Sequence, residues 1–282
     1  MPIAHFPSCP EMTRREGRVR VLDLFSGIGG ASLGLHWAGM RTVAFCESDP
    51  ACVRVLRRHW PDVPVFPDIR TLSAEDLRRA GVPPAELLVG GFPCQDISPV
   101  GRGAGLDGAR SGLWSHMHRL VAECRPRWVV AENVPALRVR GADRVLEDLE
   151  ALGYACWPLV VGAAHAGAPH RRGRAWIVAA DTTGAGLEVR ECPAAGPAPG
   201  LPAERRGGWA AEPGLRRVAH GFPGRVDRIR ALGNAIVPAN AAMLGQAIRL
   251  ADTVFSGTPS VRNGAETWRI DQVSSTDLHL DH

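Results

Sequence analysis

The sequence predicts an α/β fold, a mostly parallel sheet with helices on its faces, joined to a small loop-rich lobe. Three observations carry that reading. Short runs rich in Val, Leu and Ile alternate with segments of helical period. A glycine-rich turn follows the first of these runs, and the alternation stops in a Gly/Pro-rich stretch that begins near Asp181.

Taken in order, "VRVLDLF" leads into "GGASLGLHWAG", and "RTVAFCE" leads into "SDPACVRVLRRHW". Asp49 followed by Pro50 reads as a helix N-cap with proline in the first turn. A third run, "VPVFPDIR", precedes Ser73 and Asp76, which form a capping box ahead of "LRRAG". "LLVGG" then pairs with "SGLWSHMHRLVAEC", and "RWVVAE" with "ADRVLEDLEALG"; "YACWPLVVG" and "RAWIVAA" complete the strands. From Asp181 to Arg225, 9 Gly and 6 Pro among 45 residues leave no room for long regular elements. Helical spacing returns in "PANAAMLGQAIRLA", which is expected to pack back on the main domain. The organisation expected is an N-terminal extension over 1–18, a catalytic and cofactor-binding domain over 19–180, the small lobe over 181–224, a return to the main domain over 225–251, and a flexible tail over 252–282.

A chain of 282 residues with 45% apolar and 22% charged residues suits a soluble globular protein, and no apolar run is long enough to span a membrane. The N-terminus lacks the apolar core of a signal peptide, so a cytoplasmic protein is expected. Seven scattered cysteines include no C-x-x-C pair, which argues against a zinc site or a disulfide framework and for reduced thiols without bound metal. Residues 201–230 hold seven Arg against two Glu and one Asp, so this one stretch carries the chain's whole formal charge of +4. That is where a polyanion is expected to dock. Arginine is the only long basic residue in the chain, which has no lysine, so solvated surface is the alternative reading of the cluster.

The chemistry-bearing residues fall at predicted strand ends. In "VLDLFSGIGG" the glycines let backbone approach a ligand, but Ser32 breaks the G-x-G-x-x-G fingerprint of pyrophosphate-binding sites. Glu47 ends the second run, where a carboxylate accepts hydrogen bonds from ribose hydroxyls. A nucleoside cofactor without pyrophosphate fits both features. Asp68, at the third strand end, is placed to bind an adenine amino group, with Ile69 beside the ring. Cys94 lies in the loop beyond "ELLVGG", stiffened by Pro93 and approached closely through Gly90 and Gly91, a position that suits a nucleophilic thiolate. Glu132 ends the neighbouring strand and faces the same cleft. Arg172 and Arg174, two apart at the start of a strand, are expected on one face, where they hold a carbonyl or phosphate. Singly, each has an ordinary structural reading, as a tight turn, a cap, a small hydrophobe or an edge-strand charge.

Together, "DLFSGIGG", "GGFPCQ", "ENV", the Arg-x-Arg strand and "RALGNAIVP" resemble, in order, the signature blocks of the C5-cytosine DNA methyltransferases. The resemblance runs from about Val19 to Ala251, apart from Asp181 to Val218. It implies a class I, Rossmann-like S-adenosylmethionine-dependent methyltransferase acting on double-stranded DNA, of the kind found in bacterial or phage restriction-modification systems, and here expected as a monomer. It implies that Cys94 adds to C6 of a flipped-out cytosine. Glu132 would hydrogen-bond N3 and the amino group, and Arg174, assisted by Arg172, would hold O2. The implied cofactor pocket comprises Phe25, Gly27, Gly30, Glu47, Asp68, Ile69, Gly91, Leu113 and Asn234. The implied DNA contacts are Gln95, Ser98, Arg205, Arg206, Trp209, Arg216, Arg217 and Arg225.

Two departures stand out. His170 occupies the position where the family has Gln, and the block that usually precedes "GNA" is reduced to "HGFPGRVDRIR". The lobe is short, so a recognition sequence of two to four base pairs, or a loosely enforced one, is expected. An RNA cytosine methyltransferase is the nearest alternative, although the "CFT"-type stretch of that branch is missing. A catalytically silent DNA-binding relative is the other, and intact Cys94, Glu132 and Arg174 count against it.

Overall fold

The structure, a computed structural model, describes residues 19–93, 112–139, 141–168, 170–183 and 231–256, with side chains as far as Asp252. The extension 1–18, the cysteine loop with Cys94, Gln95 and Ser98, most of the lobe with Arg205, Arg206, Trp209, Arg216, Arg217 and Arg225, and residues 257–282 lie outside the described residues.

Among the described residues, seven strands form one sheet in the order β3-β2-β1-β4-β5-β7-β6. The elements follow the predicted alternation: β1 Arg20–Leu24, α1 Gly30–Trp37, β2 Arg41–Cys46, α2 Pro50–His59, β3 Val65–Phe66, α3 Ala74–Arg79 and β4 Leu87–Gly91. After them come α4 Leu113–Cys124, β5 Trp128–Asn133, α5 Ala142–Ala151, β6 Tyr154–Val161, β7 Arg174–Asp181 and a last helix, α6, Pro238–Ser256. Strands β1 to β5 run parallel; β7 lies antiparallel to both β5 and β6. The third apolar run yields a strand of only two residues, since Pro64 and Pro67 bracket it and cannot donate to the ladder.

Both expected helix starts are present. The Asp49 side chain accepts from the Ala51 N–H at 2.8 Å with Pro50 in the first turn. Ser73 and Asp76 form the reciprocal capping box.

Alternation along the strands sorts the core into two layers. Val21, Leu87, Val89, Trp128 and Trp176 pack with Leu35 of α1 and Leu244 and Ile248 of α6. Leu22, Leu24, Leu88, Val129 and Ile177 pack with Met117 and Leu120 of α4 and Leu149 of α5. A buried sheet strand shows apolar residues toward both layers, which is why these runs read as continuous rather than alternating.

Helix α6 packs against α1 and runs on to Ser256, five residues past Ala251. Two tethers hold this last stretch. Asp252 accepts from Trp128 Nε1 at 2.9 Å and pairs with Arg127 at 3.0 Å, while Arg249 donates to the Ala38 carbonyl that ends α1. Close approach of α1 and α6 depends on Gly34, where a Cβ would collide with the Pro238 carbonyl and lie 2.8 Å from the Ala241 Cβ.

Candidate active site

The strand order reverses between β1 and β4, so the crevice of a doubly wound sheet is expected outside their carboxyl ends. A cavity of about 720 Å³ opens there, at the tips of β1, β2, β4 and β5. Of the sequence-derived cofactor residues, Phe25, Gly27, Glu47, Asp68, Ile69, Gly91, Leu113 and Asn234 all line it.

The turn after β1 is held in a conformation few residues adopt. Phe25, Gly27 and Gly29 have φ of 53°, 54° and 83°. Glycine meets this freely, whereas Phe25 sits in the left-handed region as a non-glycine, the kind of backbone strain that clusters at ligand sites. Glu47 locks the turn: one carboxylate oxygen accepts from the Gly27 N–H and the other from the Asp49 N–H, both at 2.7 Å. Each oxygen keeps a further lone pair, so the group is oriented without being exhausted as an acceptor.

Gly30, the ninth expected cofactor residue, is not among the residues that line this cavity. It begins α1, and a Cβ there would collide with the Ile236 carbonyl, so its bareness serves helix packing and, through Ile236, the cavity wall.

Glu132 lies near the end of β5, beside Gly91 of β4 in register. A Cβ on Gly91 would sit 2.9 Å from Glu132 Oε2, so this glycine makes room for the carboxyl group as well as for a ligand. Glu132 is buried, and burial pushes its pKa up to about 7, against the lowering influence of Arg174 and then Arg172. Arg174 Nε lies 3.0 Å from Glu132 Oε1. Next to them, Asn133 donates to the Phe92 carbonyl at 3.2 Å and accepts from the Val134 N–H. That side chain ties the β4 tip, from which the cysteine loop departs after Pro93, to β5.

The arginine pair differs from expectation. Strand β7 begins at Arg174, so Arg172 lies outside it and strand alternation does not govern its direction. Its φ is 30°, and its guanidinium donates to the Gly233 and Ala235 carbonyls at 2.8 and 2.7 Å. Asp68 also differs from a free acceptor: Arg70 grips its carboxylate with Nε and Nη2, which lowers its pKa.

Sequence reasoning missed Asp23, His116 and Ile236, all cavity-lining. Asp23 is buried within β1; Ser32 Oγ donates to it at 2.6 Å, and Thr42 Oγ1 donates to Ser32 at 2.7 Å. Burial pushes the Asp23 pKa up to about 7, opposed by the Ser32 hydrogen bonds. An acid inside "VLDLF" was the available signal. Among the described residues no cluster of three or more metal-ligating side chains is present, and no helix is long and apolar enough to cross a membrane.

Residues 19–190 match the family described as C-5 cytosine-specific DNA methylase. The chain is similar to Type II methyltransferase M2.BsuMI of Bacillus subtilis, at 37% identity over 169 residues covering 57% of this chain and 42% of that protein. It is similar also to Type II methyltransferase M.AquIA of Picosynechococcus sp., at 35% identity over 175 residues covering 56% and 71%. The chain spans less than half the length of M2.BsuMI and of M.NgoFVII of Neisseria gonorrhoeae. Among solved structures, a DNA modification methyltransferase encoded within an Escherichia coli prophage superposes with a TM-score of 0.51 and 29% identity, covering 58% of this chain and 47% of that one. With that superposition, the mostly parallel sheet with helices on both faces is the class I methyltransferase fold. The family match takes in more than half of the sequence and every strand of the sheet, and by it this chain belongs to the C-5 cytosine-specific DNA methylases.

Proposed function

We propose that this chain is a DNA cytosine-5 methyltransferase that uses S-adenosylmethionine and works through a covalent Cys94 adduct. The observation that carries the reading is the buried Glu132, paired with the half-buried Arg174, beside a cavity of about 720 Å³ at the strand tips.

The cavity fits the donor. A Cβ at Gly27 would meet nothing within 4 Å, leaving open space over the turn, and Glu47 presents oriented acceptors where a ribose would lie. Phe25, Ile69 and Leu113 offer apolar walls for an adenine, and Asp68 an acceptor for its amino group, shared with Arg70. Bound there, S-adenosylmethionine supplies an electrophilic methyl group.

The chain's own residues then divide the work. The Cys94 thiolate adds to C6 of a cytosine taken out of the duplex, and the electron pair of the C5–C6 double bond moves to C5. Glu132, protonated near neutral pH, donates to N3 as negative charge builds on the ring. Arg174 fixes the Glu132 carboxyl and offers a second N–H to O2. After C5 is methylated, loss of its proton and departure of the thiolate restore the aromatic ring.

The arginine-rich stretch of 201–230 and the cysteine-loop residues Gln95 and Ser98 are assigned to DNA, with a short or loosely enforced recognition sequence. The protein is assigned as a monomer in the cytoplasm of a bacterial or phage-infected cell. DNA carrying 5-fluorocytosine, incubated with protein and donor, is expected to yield an adduct stable to denaturation and absent from Cys94→Ser. Failure to trap it on any DNA that the protein methylates overturns the covalent mechanism. Nucleoside mass spectrometry after parallel incubation with duplex DNA and transfer RNA identifies the substrate; 5-methylcytidine in RNA alone overturns the DNA assignment.

A further inference from the structure

We infer that Arg172 is a positioning residue for the donor cavity rather than a group that contacts the base. The inference rests on the reading of that cavity given above.

The argument starts from where the guanidinium goes. Arg172 donates twice from one nitrogen, to the carbonyls of Gly233 and Ala235, which lie 61 and 63 residues away in sequence. Those carbonyls flank Asn234, and Asn234, Ala235 and Ile236 form one wall of the cavity. Both carbonyls precede α6 and lie outside its hydrogen-bond ladder, and one guanidinium nitrogen bridges them in the segment that leads into that helix.

The backbone supports the same assignment. Arg172 adopts φ of 30°, a left-handed conformation that a non-glycine holds only when its surroundings fix it. One such constraint is visible: a Cβ on Gly162 would collide with the Arg171 carbonyl, so the strand-end glycine admits this turn closely. On the other side, a Cβ on Gly173 would rest 3.7 Å from Pro135, against the segment that follows Glu132. The turn thus packs closely on the end of β6 and lies beside the segment after β5, and its arginine is directed at the cavity wall.

The two arginines therefore divide by contact. Arg174 grips Glu132, whereas Arg172 grips the Gly233–Ala235 turn, and only its longer-range charge reaches Glu132. Seating of the donor wall and charging of the base pocket are joined through the two residues between which Gly173 sits.

Equilibrium dialysis with radiolabelled S-adenosylmethionine, paired with steady-state kinetics on duplex DNA, separates the two roles. Arg172→Ala is expected to raise the donor Kd about tenfold or more while kcat at saturating donor stays within about threefold of the parent, the loss matching one or two charged hydrogen bonds. Arg172→Lys, which keeps a cation with several N–H donors on one nitrogen but not the planar guanidinium, is expected to recover part of that affinity. Arg174→Ala is expected to do the opposite, lowering kcat and leaving donor Kd unchanged. Should Arg172→Ala not melt cooperatively, the donor Kd of Arg172→Lys decides. An unchanged donor Kd in a folded Arg172 variant overturns the inference, most plainly if kcat falls. A parent protein that does not bind the donor overturns the wider reading and this inference with it.

Discussion

Arg174 Nε stands 3.0 Å from Glu132 Oε1, and yet the carboxyl group still has its pKa pushed up to about 7. Burial outweighs the ion pair: the cost of stripping water from the carboxylate exceeds what the adjacent cation returns. A protonatable acid is thereby held next to a fixed donor, which suits hydrogen bonding to a ring nitrogen that gains electron density.

The sign of the linked stability effect follows from that shift. The folded pKa of Glu132 lies above the ordinary carboxyl value of 4.5 that it has unfolded, so its contribution is fully present below that value and is lost as pH rises through about 7. Glu132→Gln removes this dependence. Denaturant melts at pH 5 and pH 8.5 should show a smaller loss of stability for the variant than for the parent, by up to about 3 kcal/mol. Parallel pH profiles for the two proteins would refute the burial argument. Asp23 is raised in the same direction and contributes its own loss over a similar range, so only the difference between the proteins is diagnostic.

Glu47 accepts from two backbone N–H groups, and a glutamine can accept with only one of its two terminal atoms. Glu47→Gln should therefore release either Gly27 or Asp49 and weaken donor binding about tenfold or more, with duplex DNA binding unaffected. Isothermal titration with S-adenosylmethionine checks this, and unaltered donor affinity would remove Glu47 from the cavity's function.

The Thr42–Ser32–Asp23 chain is buried, so its members act as a unit. Ser32→Ala deprives both Thr42 and Asp23 of a partner and is expected to cost about 1–3 kcal/mol in thermal or chemical unfolding. Thr42→Val, at the end of the chain, should cost less, because Ser32 can still serve Asp23.

At the seam of α1 and α6, Gly34→Ala introduces a methyl group into space held by the Pro238 carbonyl and Ala241. Backbone on a second helix cannot move aside cheaply, and destabilisation of about 1–3 kcal/mol is expected. Because α6 begins just after the cavity-lining residues Asn234 to Ile236, the same variant should also weaken donor binding.

How much of this was legible in the sequence depends on range. Asp49 with Pro50, and Ser73 with Asp76, act over two or three residues, and both caps form as predicted. Strand ends were likewise readable at Glu47 and Asp68, whereas Leu113 and Asn234 entered only through the family resemblance; with them, eight of the nine cofactor candidates line one cavity. The packing constraint on Gly30 was not legible, because it comes from Ile236, more than 200 residues on. Arg172 was misdirected because the chain enters β7 two residues later than the pattern suggested, and its hydrogen-bond partners lie beyond a long intervening segment.

The sequence by itself determined the alternation of strands and helices, the glycine turn, and the order of chemically distinct blocks, since hydrophobic periodicity and backbone sterics are local properties. Only the tertiary structure decided which arginine meets Glu132, why Gly30 and Gly91 carry no side chain, and that Asp23 and Glu132 are held near neutral pKa. Each of those depends on which distant surface arrives at a given atom and how much water it displaces, and neither is written in the spacing of residues along the chain.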